Sequence, residues 1–252
     1  MRNLDYKIIF PDLEYQLEQD EEWVIIDFGH KQEKVRLHDY GVIYKIPGLY
    51  ERIFCKHLKY NSPKMICDML DDVIEESGYS TRNLRVLDFG AGNGLVGEQI
   101  KRKGIDLLVG VDILTEARDA ANRDFPGIYD KYYVIDLSQP VDKEMEALKQ
   151  YGFNALVTVS ALGFDDIPPC AFLNAFNLIK DDGYIAFNVK GKYLTDKDDT
   201  GYEGIIKDIS ADNFSVYRRR SYCHRFSLDG KELNYIAIVG KKNKDVNLNE
   251  LL

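Results

Sequence analysis

Three aspartates and three glycines carry the chemistry legible in this 252-residue sequence. Asp88, Gly90, Gly92 and Gly94 fall in LDFGAGNGL, Asp112 closes LLVGVD, and Asp136 closes YYVID. Each aspartate ends an apolar run of the kind that forms a buried strand. A DxGxGxG loop between strand and helix turns sharply and brings backbone N–H groups close to a ligand. Its acid suits a cationic ligand end and repels a pyrophosphate. Leu95 stands where the dinucleotide fingerprint GxGxxG requires its third glycine, which argues against a dinucleotide. A carboxylate at the end of the second strand accepts two hydrogen bonds, as a pair of ribose hydroxyls donates them. One aspartate at a strand end is usually a turn or capping residue. Three at successive strand ends, the first joined to a glycine loop, are not produced by turn chemistry alone.

These residues need a scaffold, and from Leu84 the pattern supplies one. Strands RVLDF, LLVGVD, KYYVID, NALVTVS and YIAFNVK alternate with helices over GLVGEQIKRK, TEARDAANRD, residues 142–151 and PPCAFLNAFNLIK. Such alternation implies a parallel sheet with right-handed crossovers, its ligand beyond the carboxyl ends of the strands. A further helix is expected near Tyr202–Ile209. Asp229 and Gly230 between two strand-like runs then signal a closing hairpin. Ahead of the alternation, MICDMLDDVIEE reads as a helix, with Ser62 as its N-cap and Pro63 at its first position. Residues 1–60 lack this alternation. WVIIDF and KVRLHDY read as a hairpin, followed by a segment carrying Tyr40, Tyr44, Tyr50 and Tyr60 around Pro47 and Gly48. The expected organisation is an N-terminal hairpin and lid over 1–60, a core over 61–245 and a tail over 246–252.

The DFGAGNGL stretch resembles motif I of the class I S-adenosylmethionine-dependent methyltransferases, and the resemblance to that family's general pattern runs from Ser62 to Lys241. It implies an α/β fold: a Rossmann-like, seven-stranded, mostly parallel sheet with an antiparallel C-terminal hairpin and helices on both faces. It also implies S-adenosyl-L-methionine as methyl donor and S-adenosyl-L-homocysteine as product. By this resemblance Asp112 holds the ribose, Asp136 the adenine amino group and the Gly90–Gly94 backbone the methionine part. Asp88, Phe89, Ala91, Asn93, Leu95, Ile113, Leu137 and Ser160 complete the implied donor site. Many members that methylate amide or exocyclic amino nitrogen carry an Asn or Asp, two prolines and an aromatic after the fourth strand. This chain has SALGF there, which disfavours such acceptors and makes Leu162 and Phe164 acceptor candidates beside Tyr40, Tyr44 and Tyr50. The SALGFDDIPP and HDYGVIYKIPGLYE stretches are similar to bacterial methyltransferase-domain proteins loosely akin to the Williams-Beuren-region methyltransferase-like proteins. Where the family often has an acid just before the fourth strand, this chain has Asn154.

Composition bounds the rest. A net charge of −9 argues against a protein that mainly holds a phosphate backbone, in spite of basic clusters at 101–103 and 218–220. No apolar run approaches the roughly 18 residues of a membrane span, and no signal-peptide core opens the chain, so a cytoplasmic protein is expected. Cys55, Cys67, Cys170 and Cys223 are too scattered for a zinc site or a disulfide scaffold. His30, His38, His57 and His224 read as structural or solvated, and no catalytic base is assigned. The leading expectation is methyl transfer to a small molecule, with no metal, no membrane and no nucleic-acid partner. The alternatives are a donor-binding scaffold protein, an RNA or protein methyltransferase and, disfavoured by the loop spacing, a nicotinamide-dependent oxidoreductase. Methyl transfer can proceed without a base, because the sulfonium is already activated and the protein has chiefly to align the reactants and exclude water.

Overall fold

The computed structural model describes residues 6–12, 17–162, 167–191 and 212–248. Phe164 and the helix expected near Tyr202–Ile209 lie outside the described residues. The N-terminal hairpin gains a third strand: β1 (Lys7–Ile9), β2 (Trp23–Asp27) and β3 (Gln32–Arg36) pair antiparallel in that order. Val24, Ile26 and Val35 alternate with exposed or half-buried neighbours and point into a small core with Leu49, Ile53 and Phe54. The tyrosine-rich segment is helical. A short α1 (Tyr40–Ile43) precedes a π-helical stretch, Glu51–His57, with a turn through Gly48 at φ 71° between them.

Helix α2 (Ser62–Glu76) leads into the main sheet, formed by β4 (Arg85–Phe89), β5 (Leu107–Asp112), β6 (Lys131–Val134), β7 (Ala155–Thr158), β8 (Tyr184–Lys190), β9 (Phe214–Phe226) and β10 (Glu232–Lys242). Their order is β6-β5-β4-β7-β8-β10-β9, parallel from β6 to β8 and antiparallel at β10 and β9. This is the class I methyltransferase fold, closed by the hairpin that Asp229 and Gly230 signal. The helices α3 (Leu95–Lys101), α4 (Thr115–Asp124), α5 (Asp142–Lys149) and α6 (Pro169–Asn177) supply the crossovers. Residues of α2 and α3 pack with Val86, Leu108 and Val157, whereas residues of α5 and α6 pack with Leu87, Val109 and Leu156. Both faces are therefore dry, which is why these strands read as unbroken apolar runs.

Two local details differ from the sequence reading. Ser62 is the first helical residue rather than the cap; Asn61 precedes it without a capping side-chain bond, and the Ser62 hydroxyl is engaged in the interior. Asn154 is a fastener: its Oδ1 accepts from Arg85 N at 2.8 Å and its Nδ2 donates to Asn83 O at 2.9 Å, tying the start of β7 to the start of β4. An acid could accept the first bond but not donate the second. At the other end Val246, the first residue of the expected tail, is buried in the core and exchanges two hydrogen bonds with Asn177.

Candidate functional site

The chain leaves β4 for β5 and β6 on one side and for β7 and β8 on the other, so the carboxyl ends of β4 and β7 flank a topological switch point. A cavity of about 430 Å³ opens there. One end is walled by Phe89–Asn93, Leu95, Asp112, Ile113, Asp136 and Leu137, and Ser160 also lines the cavity.

The glycine loop is held from below and behind. Gly90, Gly92 and Gly94 have φ of 71°, 53° and 93°, conformations that residues with a Cβ rarely adopt. Asp112 Oδ2 accepts from Gly92 N and Oδ1 from Leu114 N, both at 2.9 Å. Each oxygen keeps a lone pair for a ligand hydroxyl. Tyr132 adds a bond from its hydroxyl to Gly92 O at 2.8 Å. Burial raises the Asp112 carboxyl, with those backbone bonds opposing it.

Asp88, expected at the mouth of the loop, lies beneath it instead and is absent from the cavity wall. Tyr129 donates to its Oδ2 at 2.7 Å, while Oδ1 is buried without a hydrogen bond. The tyrosine reaches it because Gly97 and Gly110 have no side chain; a Cβ at either would lie within about 3 Å of the Tyr129 ring. Burial pushes the Asp88 carboxyl up to about 7, with the Tyr129 bond opposing and Asp112 adding to the rise. Gly94 likewise turns away from the cavity, toward Phe125, Ala121 and Tyr129.

Asp136 Oδ1 accepts from both N and Oγ of Ser138, at 2.8 and 2.6 Å, and the side chain remains exposed at the cavity rim. Ser160 takes φ 58°, and its N–H donates to Asn188 Oδ1 at 2.6 Å. Leu162 is buried in a bridge with Ile167 and does not line the cavity.

Tyr40, Tyr44 and Tyr50 do line it. The Tyr44 hydroxyl would lie 2.7 Å from a Cβ on Gly92, so the missing side chain is the space this ring end occupies. Three bonds fasten the segment to the core: Arg123 Nη1 to Tyr44 O at 2.9 Å, Asn93 Nδ2 to Glu51 Oε1 at 2.6 Å, and Lys45 to Glu116 at 3.1 Å.

Sequence reasoning missed the rest of this wall. Gln19, His224, Arg225 and Tyr235 also line the cavity, beside Tyr60 of the tyrosine-rich segment. His224, expected to be structural or solvated, stacks on Tyr235 with ring centroids 4.0 Å apart and meets Tyr60 edge-on at 5.2 Å. Arg225 is buried in an ion pair with Glu22 at 2.5 Å. Gln19 Nε2 donates to the Tyr235 hydroxyl oxygen, Oη, at 3.1 Å. Apart from His224 and Tyr235, which share the final hairpin, these partners are separated by 164 to 216 positions along the chain, and no local spacing announces them. The Arg218–Arg220 cluster lies outside this cavity, with Arg218 paired to Asp72 and Glu76.

No family model matches the sequence, and no curated protein does. Among solved structures, a candidate RNA methyltransferase from Pyrococcus horikoshii is similar at 17% identity, with 73% of this chain and 86% of that chain covered and a TM-score of 0.53. Magnesium protoporphyrin IX methyltransferase from Synechocystis PCC 6803 with bound S-adenosylmethionine matches at 14% identity over 72% and 79% of the chains, with a TM-score of 0.49. The N-methyltransferase NodS from Bradyrhizobium japonicum WM9, in complex with S-adenosylhomocysteine, matches at 14% identity over 71% and 86%, with a TM-score of 0.49. At these identities the likeness is one of fold. Among the described residues no helix is long and apolar enough to cross a membrane, and no group of His, Cys, Asp and Glu is placed to hold a metal ion.

Proposed function

We propose that this chain is an S-adenosyl-L-methionine-dependent methyltransferase acting on a small-molecule acceptor, with S-adenosyl-L-homocysteine as product. One observation carries the reading: the glycine loop, Asp112 and Asp136 follow the adjacent strands β4, β5 and β6 and line one cavity, the order a nucleoside-bearing donor needs. The residues fit that donor. Asp112 has lone pairs left for two ribose hydroxyls, exposed Ile113 offers an apolar face for the base, and Asp136 can accept from an exocyclic amino group. The backbone of Gly90, Gly92 and Asn93 receives the methionine part. A cavity of about 430 Å³ lies in the range of small-ligand sites. The bound donor supplies an activated methyl group; the protein aligns the acceptor with it and excludes water.

Tyr40, Tyr44 and Tyr50 act in this reading as part of a lid. Aromatic faces close over a sulfonium favourably, and the hydroxyl of Tyr44 already rests on the loop. The acceptor enters between that lid and β9. Calorimetry with S-adenosylmethionine, S-adenosylhomocysteine and NAD tests the donor: the first two bind and NAD does not. Transfer of labelled methyl to a component of a metabolite extract separates an enzyme from a protein that only binds the donor. NAD binding with no response to S-adenosylhomocysteine would reverse the assignment.

A further inference from the structure

On the acceptor side of the cavity, one imidazole edge is tied down and the other is open. His224 Nδ1 lies 2.7 Å from Ser62 Oγ and 3.4 Å from Ser160 Oγ, and no hydrogen bond reaches Nε2 among the described residues. The ring is buried against Tyr60 and Tyr235 and lines the cavity. Nε2 is thus its one free polar atom there.

The protons of the surrounding network run in one direction. Ser160 N donates to Asn188 Oδ1, which fixes that amide with Nδ2 as its donor. Nδ2 donates to the Tyr222 oxygen at 2.8 Å, and the Tyr222 hydroxyl donates to Ser62 Oγ at 2.7 Å. The Ser62 proton then goes to His224 Nδ1, so that each hydroxyl gives its single proton once. With Nδ1 as acceptor, the neutral imidazole carries its proton on Nε2.

Two further observations describe what this donor faces. Tyr40, Tyr44, Tyr50, Tyr60, His224 and Tyr235 form an unbroken arc of ring contacts, with centroids 4.0 to 6.4 Å apart, from the glycine loop to the acceptor wall. An arc of aromatic rings suits a flat aromatic guest. The histidines at this end are uncharged donors. Both of them, His38 and His224, are held below the ordinary imidazole range, first by burial and then by the Arg225 charge.

We propose that His224 binds the methyl acceptor by donating its Nε2–H to a carboxylate oxygen of a flat aromatic acid, which the enzyme converts to the methyl ester. This rests on the donor reading above. One carboxylate oxygen is held by His224 and the other is free to react. A lone pair on that second oxygen forms the new O–CH3 bond while the C–S bond breaks with its electron pair left on sulfur. The sulfonium becomes a neutral thioether and no proton is released. An aromatic carboxylate is already ionised at neutral pH, so the step asks for a hydrogen-bond donor and no base.

The test titrates benzoate, salicylate and 4-hydroxybenzoate into protein saturated with S-adenosylhomocysteine, with benzamide and benzylamine as controls. At least one acid is expected to bind about tenfold or more tighter than both controls, and His224→Leu to lose about tenfold of that affinity. His224→Gln keeps an N–H donor near the Nε2 position and is expected to stay within about threefold of wild type. Nitrogen NMR of histidine-labelled protein is expected to place the His224 proton on Nε2 and to show that resonance shifting with the acid. Ser62→Ala, which leaves the cavity wall in place, serves if His224→Leu does not fold: it should release the proton to both ring nitrogens and weaken the acid. Acids binding no tighter than the controls, a wild-type proton on Nδ1, Gln failing as Leu fails, or an unchanged Ser62→Ala overturns the proposal. Wild-type protein that does not bind S-adenosylhomocysteine overturns the donor reading instead.

Discussion

The two ends of the cavity are built from opposite kinds of sequence. In the proposed reading the donor end comes from three successive βα units, and its polar residues sit at strand ends where short spacing reveals them. The acceptor end joins the first 60 residues to β9 and β10, through pairs such as Gln19 with Tyr235 and Glu22 with Arg225. A ligand common to many proteins is met by a local motif; a ligand particular to one is met by surfaces that only the finished fold brings together.

The sharpest way to break that contrast is to attack the acceptor end through its buried ion pair. Glu22→Ala leaves the Arg225 guanidinium in the interior with no counter-charge and takes a 2.5 Å acceptor from Leu228 N. Urea unfolding should show a loss of roughly 3–5 kcal/mol. A loss under about 1 kcal/mol, within the span of an ordinary surface pair, would mean that the acceptor wall is held by something else.

Beneath the donor loop the expected effect depends on pH. The Asp88 carboxyl is raised in the folded protein to about 7, so between its unfolded value and 7 the native state binds more protons than the unfolded one. Stability therefore falls as pH rises through that window, by at most about 1.4 kcal/mol per unit. Asp88→Asn should flatten the slope and leave the variant the more stable of the two at pH 8, by up to about 4 kcal/mol. Denaturation curves for both proteins at pH 5 and pH 8 check this; parallel slopes refute it.

Asp112→Ala addresses ligand and loop together, since the same carboxylate anchors Gly92 and Leu114. Affinity for S-adenosylhomocysteine should drop by roughly 2–4 kcal/mol. Binding that stays within about threefold of wild type, under 1 kcal/mol, removes Asp112 from the donor site. The smallest effect belongs to the boundary between the two ends. Tyr44→Ala should weaken the same ligand by about 1 kcal/mol, while Tyr60→Ala, on the acceptor side, leaves it unchanged. Equal responses in the two tyrosine variants would dissolve the distinction between a lid over the donor and a wall for the acceptor.

The sheet was legible because two periodicities, strand runs and helical repeats, alternate without interruption from Leu84 to Lys190. Its closing hairpin was legible from one Asp-Gly pair. The donor loop was legible from its glycine spacing together with the resemblance to motif I, although the place of Asp88 was not: sequence shows that an acid follows a strand, not whether a tyrosine 41 positions later will cover it. The third N-terminal strand was too short to stand out, and the helical turns at Tyr40 and Glu51 were hidden by Pro47 and Gly48. Ser62 shows the limit most plainly. Its type and its proline neighbour fit a cap, yet a histidine 162 positions away competes for the hydroxyl.

The ion pair between Glu22 and Arg225 also sets an order of events during synthesis. The residues are 203 positions apart, so Glu22 leaves the ribosome long before its partner is made. Gln19 waits still longer for Tyr235, and Ile26, Leu37 and Ile53 wait for Leu228. The segment translated first thus completes its contacts last, after the core strands have paired and the final hairpin has emerged. Its own small core can close early, since all of its buried members but Leu228 lie within residues 6–58, but the cavity wall cannot. An acceptor wall of this kind cannot be exchanged by grafting the first 60 residues alone, because half of its partners are written at the opposite end of the message.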